Sequence, residues 1–148
     1  MSLGAKIMDE MKTAMKAKDT VALEALRAIK SEILLAQTSA SGGDLTAEDE
    51  IKLLQKLVKQ RKDSATIFSE QGRADLAEPE LAQVAVIEKF LPAQLSEAEV
   101  EAIIAKIITT TGASGMAAMG QVMGQASKEL AGQADGKTIS TIVKKLLA

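Results

Sequence analysis

Thr46-Ala47-Glu48-Asp49-Glu50-Ile51-Lys52-Leu53-Leu54-Gln55-Lys56-Leu57-Val58-Lys59-Gln60-Arg61-Lys62-Asp63-Ser64-Ala65-Thr66-Ile67-Phe68 is the stretch that decides the fold class of this chain. At about 100° per residue, Ile51, Leu54, Leu57, Val58, Ala65 and Phe68 fall on one stripe of a helix, and nothing alternates as a strand would. Thr46-Ala47-Glu48-Asp49 opens the segment as a variant of the capping box, with Asp in its fourth position. Gly72 suits the C-terminal cap. Lys52, Lys56 and Lys59 cluster nearly opposite the Leu54/Leu57/Val58 stripe, so the helix is amphipathic.

Working outward, the same period recurs on both sides. A first helix is expected from Ser2 to Ala17, with Leu3, Ile7, Met11 and Ala14 along one face. Asp19 reads as an N-cap, and Leu23, Leu26, Ile29 and Ile33 carry a second stripe to about Ala36. Ser39-Ala40-Ser41-Gly42-Gly43-Asp44 reads as a loop. A fourth segment, Arg73 to Phe90, has Leu81, Val84, Ile87 and Leu91 at helical spacing. Pro79 predicts a kink or a fresh start near Glu78, because proline lacks the N–H and crowds the preceding turn. Pro92 is the candidate boundary. Ser96-Glu97-Ala98-Glu99 forms a capping box directly after it, followed by Val100, Ile103, Ile104, Ile107 and Ile108, with Gly112 as terminator. Two short helices remain, Gly115 to Leu130 closed by Gly132, and one capped by Asp135. The expected fold is all-α, with a helical unit over 1–92 and a small helical unit over 93–148.

Composition narrows the chemistry. The 148 residues are 47% hydrophobic, which is enough to bury a core. That hydrophobicity is aliphatic, since the chain has two Phe and neither Trp nor Tyr. Without Cys there is no disulfide, thiolate nucleophile or Cys-based metal site, and without His the usual general base is missing. No catalytic residue, no metal and no cofactor is therefore expected. The net charge of −2 means that any RNA contact must come from local clustering of cations. Met1-Ser2-Leu3-Gly4-Ala5-Lys6 lacks the apolar stretch of a secretory signal, and nowhere do about twenty apolar residues run together. A cytoplasmic protein with no membrane partner is expected.

Several groups of residues admit two readings. The row Lys52, Lys56 and Lys59 could follow an RNA backbone, since phosphate contacts need only spaced cations. It could equally be a salt-bridged surface, with Glu48 four residues before Lys52 and Asp63 four after Lys59. Arg61 falls inside the apolar sector, so it either snorkels outward or pairs with a carboxylate beneath a neighbouring helix. Lys62 and Ser64 could form a Ser–Lys pair, but a helix offers no sharp turn to expose a nucleophile. In the last helix Ile139, Ile142, Val143 and Leu146 face inward, leaving Lys137, Lys144 and Lys145 outside. Lys144 and Lys145 also suit the negative end of the helix dipole. Met116, Met119 and Met123 form either an adaptable partner groove or plain core.

Gln60-Arg61-Lys62-Asp63-Ser64, Gly72-Arg73-Ala74-Asp75-Leu76-Ala77 and Phe90-Leu91-Pro92-Ala93-Gln94-Leu95-Ser96 resemble successive signatures of the GatB/YqeY family. So do Met119-Gly120-Gln121-Val122-Met123-Gly124, then Gly132-Gln133-Ala134-Asp135-Gly136, and Val143. The resemblance spans nearly all of the chain. It implies a helical N-terminal unit and a C-terminal unit similar to the tail of the GatB subunit of tRNA-dependent amidotransferases, where the tail contacts tRNA and other domains hold the chemistry. A similar domain is appended to some glutaminyl-tRNA synthetases. Free-standing family members carry an amidotransferase label, meaning carbon–nitrogen ligation with glutamine as nitrogen donor. Family members often have Lys where this chain has Gln121, Ala131 and Gln133, which shifts the expected RNA contact toward the third helix.

The expected function is thus a non-catalytic, tRNA-binding or translation-associated accessory domain. Its RNA-contacting residues would be Lys52, Lys56, Lys59, Lys62, Lys137, Lys144 and Lys145. The alternatives are an amidotransferase-like protein and a protein-interaction adaptor. Candidate partners are tRNA, an aminoacyl-tRNA synthetase and an amidotransferase subunit.

Overall fold

Among the described residues, five of the seven α-helices start at a side-chain oxygen that accepts a backbone N–H of the first turn, which otherwise has no partner. The computed structural model describes residues 2–39 and 43–148. Ser2 caps α1 (Leu3–Lys16), and Asp19 caps α2 (Thr20–Thr38). Thr46 caps α3 (Ala47–Glu70) and closes the full box, with each residue of the Thr46–Asp49 pair accepting the other's backbone N–H at 3.1 Å. Next comes α4 (Ala74–Glu88), then α5 (Glu97–Thr111) capped by Ser96. A 3-10 turn (Met116–Ala118) leads into α6 (Met119–Glu129), and Asp135 caps α7 (Gly136–Leu147). The described residues are all-helical, without a strand. Of the predicted loop, Ala40, Ser41 and Gly42 lie outside the described residues.

Two compact units result, Met1–Leu91 and Pro92–Ala148. In the first, α2 contacts α1, α3 and α4, and α3 pairs with α4 across the turn at Gly72, whose φ of 71° is left-handed. Its core holds Leu3, Ile7, Leu26, Ile29, Ile33, Leu54, Leu57, Val84 and Ile87. In the second, α5, α6 and α7 enclose Val100, Ile104, Ile107, Val122, Leu130, Ile139, Ile142 and Val143. The segment before α5 is tied to the one before α7, where Leu95 N donates to Gln133 O at 3.0 Å and Gln94 Nε2 to Gly132 O at 2.6 Å.

The structure departs from the sequence expectation in several places. Leu53, absent from the predicted stripe, is buried, because α3 packs against both α2 and α4 and so needs a wider apolar arc; Ile51 at its far edge is only partly buried. Leu81 is 50% exposed, and Ala77 sits in the core in its place. At about 100° per residue Leu81 lies just beyond the arc defined by Ala77, Val84 and Ile87. Pro79 does not restart the helix: α4 runs unbroken through it. Pro79 is exposed, so the carbonyl of Asp75, deprived of its i+4 donor, is on the solvent side. The segment expected to be helical from Gly115 spends its first turn in 3-10 geometry. Met119 and Met123 pack against the core while Met116 is 51% exposed, so the methionines divide between core and surface.

Among the described residues no single helix is long and apolar enough to cross a membrane.

Candidate nucleic-acid interface

The α3 lysines emerge from the side of the helix opposite Leu54 and Leu57, and each meets a carboxylate. Lys52 Nζ lies 3.1 Å from Glu48, one turn earlier, and Lys59 Nζ lies 2.8 Å from Asp63, one turn later. Lys56 instead reaches α2, 3.6 Å from Glu32, and Lys62 reaches α4, 3.4 Å from Glu88. These lysine side chains remain 49–69% exposed, so the pairs are screened and individually worth about 0–1 kcal/mol. The lysine row and the salt-bridged surface are therefore the same structure. An incoming phosphate would replace a weakly held carboxylate, which costs little.

Arg61 is different. It sits partly buried in the apolar sector, where Nε donates to Gln83 Oε1 at 2.8 Å and Nη1 to Leu57 O at 3.2 Å. Gln83 Nε2 donates in turn to Glu24 Oε2 at 3.2 Å. A guanidinium on α3 is thus linked through an amide on α4 to a carboxylate on α2. Of the two readings of Arg61, outward snorkelling or a carboxylate partner, the second is corrected: the direct partner is an amide, with the carboxylate one step further away. Sequence reading missed Gln83, Glu32 and Glu88, because partners 22 to 26 positions away on other helices leave no spacing signal.

In the second unit Lys145 Nζ is 3.4 Å from Glu101. Lys137 and Lys144, seven residues apart on α7 and hence on one face, are exposed and make no ion pair among the described residues. Lys137 and Lys145 border an open cleft of about 290 Å³ shared with Glu97 and Glu101.

No polar or charged side chain among the described residues is buried, and no three metal-ligating groups come together. Lys62 pairs with Glu88, and α3 passes straight through Ser64. The shifted titrations belong to exposed caps. The backbone and side-chain hydrogen bonds with Thr46, aided by Lys52, hold the Asp49 carboxyl below its usual range. Arg73 forms a two-bond fork with Asp75 at 3.0 and 2.9 Å, which lowers the Asp75 carboxyl and raises the Arg73 guanidinium.

The family model described as Yqey-like protein matches residues 4–147. The chain belongs to the YqeY-like family. Relatives place the family in distinct settings. This YqeY-like chain is 35% identical over 108 residues to altered inheritance of mitochondria protein 41, mitochondrial, of Lachancea thermotolerans, covering 71% of the chain and 57% of that protein. It is 36% identical over 102 residues to a glutamyl-tRNA(Gln) amidotransferase subunit of Thermococcus gammatolerans, covering 66% of the chain but 16% of that protein. The Pyrenophora tritici-repentis protein 41 is 27% identical over 147 residues, covering 96% of the chain and 79% of that protein. The YqeY-like chain thus spans little more than half of the first relative and a small fraction of the second.

Proposed function

We propose that this chain is a non-catalytic accessory module of translation that holds tRNA by its phosphate backbone. The observation that carries this reading is the similarity to a segment amounting to 16% of a glutamyl-tRNA(Gln) amidotransferase subunit. A shared stretch that small fits an appended binding module better than a complete catalytic centre. The exposed lysines Lys52, Lys56, Lys59 and Lys62 on α3, with Lys137, Lys144 and Lys145 on α7, supply the cations that phosphate contacts require. With two Phe and no Tyr or Trp, base stacking contributes little, so binding should be salt-sensitive and tolerant of sequence. The α3 row belongs to the first unit and the α7 cations to the second, which we read as a tail-like domain. The reading places the chain in whichever compartment holds the tRNA it serves, the cytoplasm in a cell without organelles. An amidotransferase subunit or a synthetase would be its protein partner.

The test has two arms. Titrating tRNA into wild type and the Lys52/Lys56/Lys59→Ala triple variant at low and moderate salt should show binding that weakens with salt and with the substitutions. Assaying the isolated chain for ammonia release from glutamine should give none above background, because an activated nucleophile and an oxyanion site are both required for that step. Undetectable tRNA binding at low salt would favour the adaptor reading. Glutaminase turnover lost on changing Ser64 or Lys62 would establish catalysis instead.

A further inference from the structure

The connection between α1 and α2 is three residues long, Ala17-Lys18-Asp19, and unlike the others it contains neither glycine nor proline. The remaining helix connections carry Gly42 and Gly43, Gly72, Pro92, Gly112 and Gly115, and Gly132. Where those chains turn left-handed they do so at glycine, with φ of 71°, 67°, 73° and 76° at Gly72, Gly112, Gly115 and Gly132. Between α1 and α2 the same turn is made by Lys18, at φ 55°. A side chain with a Cβ is disfavoured there, so the bend is held by its surroundings rather than preferred by its residues.

Those surroundings are modest. Asp19 N donates to Ala14 O at 2.9 Å and Lys18 N to Met15 O at 3.2 Å, closing α1, while Asp19 caps α2. Rotating Lys18, together with the extended Asp19 beside it (φ −83°, ψ 92°), into the right-handed helical region would exchange these bonds and the Asp19 cap for ordinary helical ones and join α1 to α2 as one helix from Leu3 to Thr38. Nothing between Ala14 and Ala22 would break such a helix. The element released is also nearly self-contained. α1 packs on α2 and on no other helix to a comparable extent, burying Leu3, Ile7 and Ala14.

We propose that Lys18 is the hinge of a domain exchange, in which α1 swings out in line with α2 and packs on the α2 of a second copy of this chain. The exchanged dimer makes the same α1–α2 contacts between copies that the monomer makes within one, and it relieves two left-handed lysines. The partner is therefore the chain itself, and the exchange does not depend on RNA binding.

The test is the oligomeric state of the full chain, measured by light scattering on a sizing column after refolding from micromolar to millimolar concentration. Lys18→Gly relaxes the bend and weakens the joined helix, so it should favour the closed monomer about tenfold per hinge and raise the dimer dissociation constant about a hundredfold. Lys18→Val, whose branched side chain fits the left-handed region worse, should lower the constant by about tenfold. A dimer that increases in the order Gly, Lys, Val supports the exchange. Three monomers at every concentration, or a dimer whose strength is indifferent to residue 18 or follows the reverse order, would overturn it.

Discussion

The two units use polar side chains in opposite ways. In Met1–Leu91 the long helices are laced together on the outside: Lys56 to Glu32, Lys62 to Glu88, and Arg61 through Gln83 to Glu24. In Pro92–Ala148 the short helices rely on an aliphatic core, and one inter-helix ion pair, Lys145 to Glu101, is found among the described residues. The α3 lysines of the first unit are thus already paired with carboxylates, whereas Lys137 and Lys144 of the second make no ion pair among the described residues. A basic row that is paired and one that is unpaired have the same charge count and different surroundings. Charge counts cannot separate them, whereas partner distances can.

The largest effect that could sharpen this contrast lies in the second core. Leu130 is fully buried, and Leu130→Ala should cost about 3–5 kcal/mol through lost transfer and an unfilled cavity. We propose that the units are separate domains, so amide exchange should accelerate in residues 92–148 and stay unchanged in the core of 1–91. Equal acceleration in both would join them into one cooperative body. Next in size is Arg61→Ala, which strips Gln83 of its charged donor and should lower stability by about 1.5–3 kcal/mol, read by chemical denaturation. Arg61→Lys should recover only part of the loss, because an ammonium cannot reproduce the fork that joins Gln83 and Leu57. A neutral Arg61→Ala would show that the lacing is ornamental.

Smaller still is the α3 cap. Thr46→Ala removes a side-chain acceptor and should cost about 1 kcal/mol. It also removes the side-chain share of the depression of the Asp49 carboxyl, while the larger share, from the backbone N–H of residue 46 donating to Asp49, remains. A carboxyl lowered in the folded state adds stability above its unfolded value, near 4, and that contribution disappears as pH falls through the lower folded value. The variant should therefore lose less of its remaining stability than wild type between neutral pH and about pH 3. An identical pH dependence in both would show that the Thr46 hydroxyl adds nothing to the depression of Asp49.

Much of the fold was legible because helical spacing is local. The apolar stripes, the caps at Asp19, Thr46, Ser96 and Asp135, and the terminators Gly72 and Gly112 all declare themselves within a few residues, whereas Ser2, expected inside the first helix, is its cap. Leu53 and Leu81 were misread because the width and centre of a buried arc depend on how many neighbours a helix has. The i,i+4 partners of Lys52 and Lys59 could be anticipated from spacing, but Glu32 and Glu88 could not, since tertiary packing alone brings them to Lys56 and Lys62. The unpaired state of Lys137 and Lys144 is likewise a property of the assembled unit.

The central claim, a backbone-reading RNA module, is tested most directly by the slope of log affinity for tRNA against log salt. It should be measured in wild type, Lys52/Lys56/Lys59→Ala and Lys137/Lys144→Ala. Each lysine that neutralises a phosphate contributes about one unit of slope, so the account predicts a decrease of about two to three for the triple variant and about two for the pair. A wild-type slope near zero, or slopes unchanged in both variants, would contradict it.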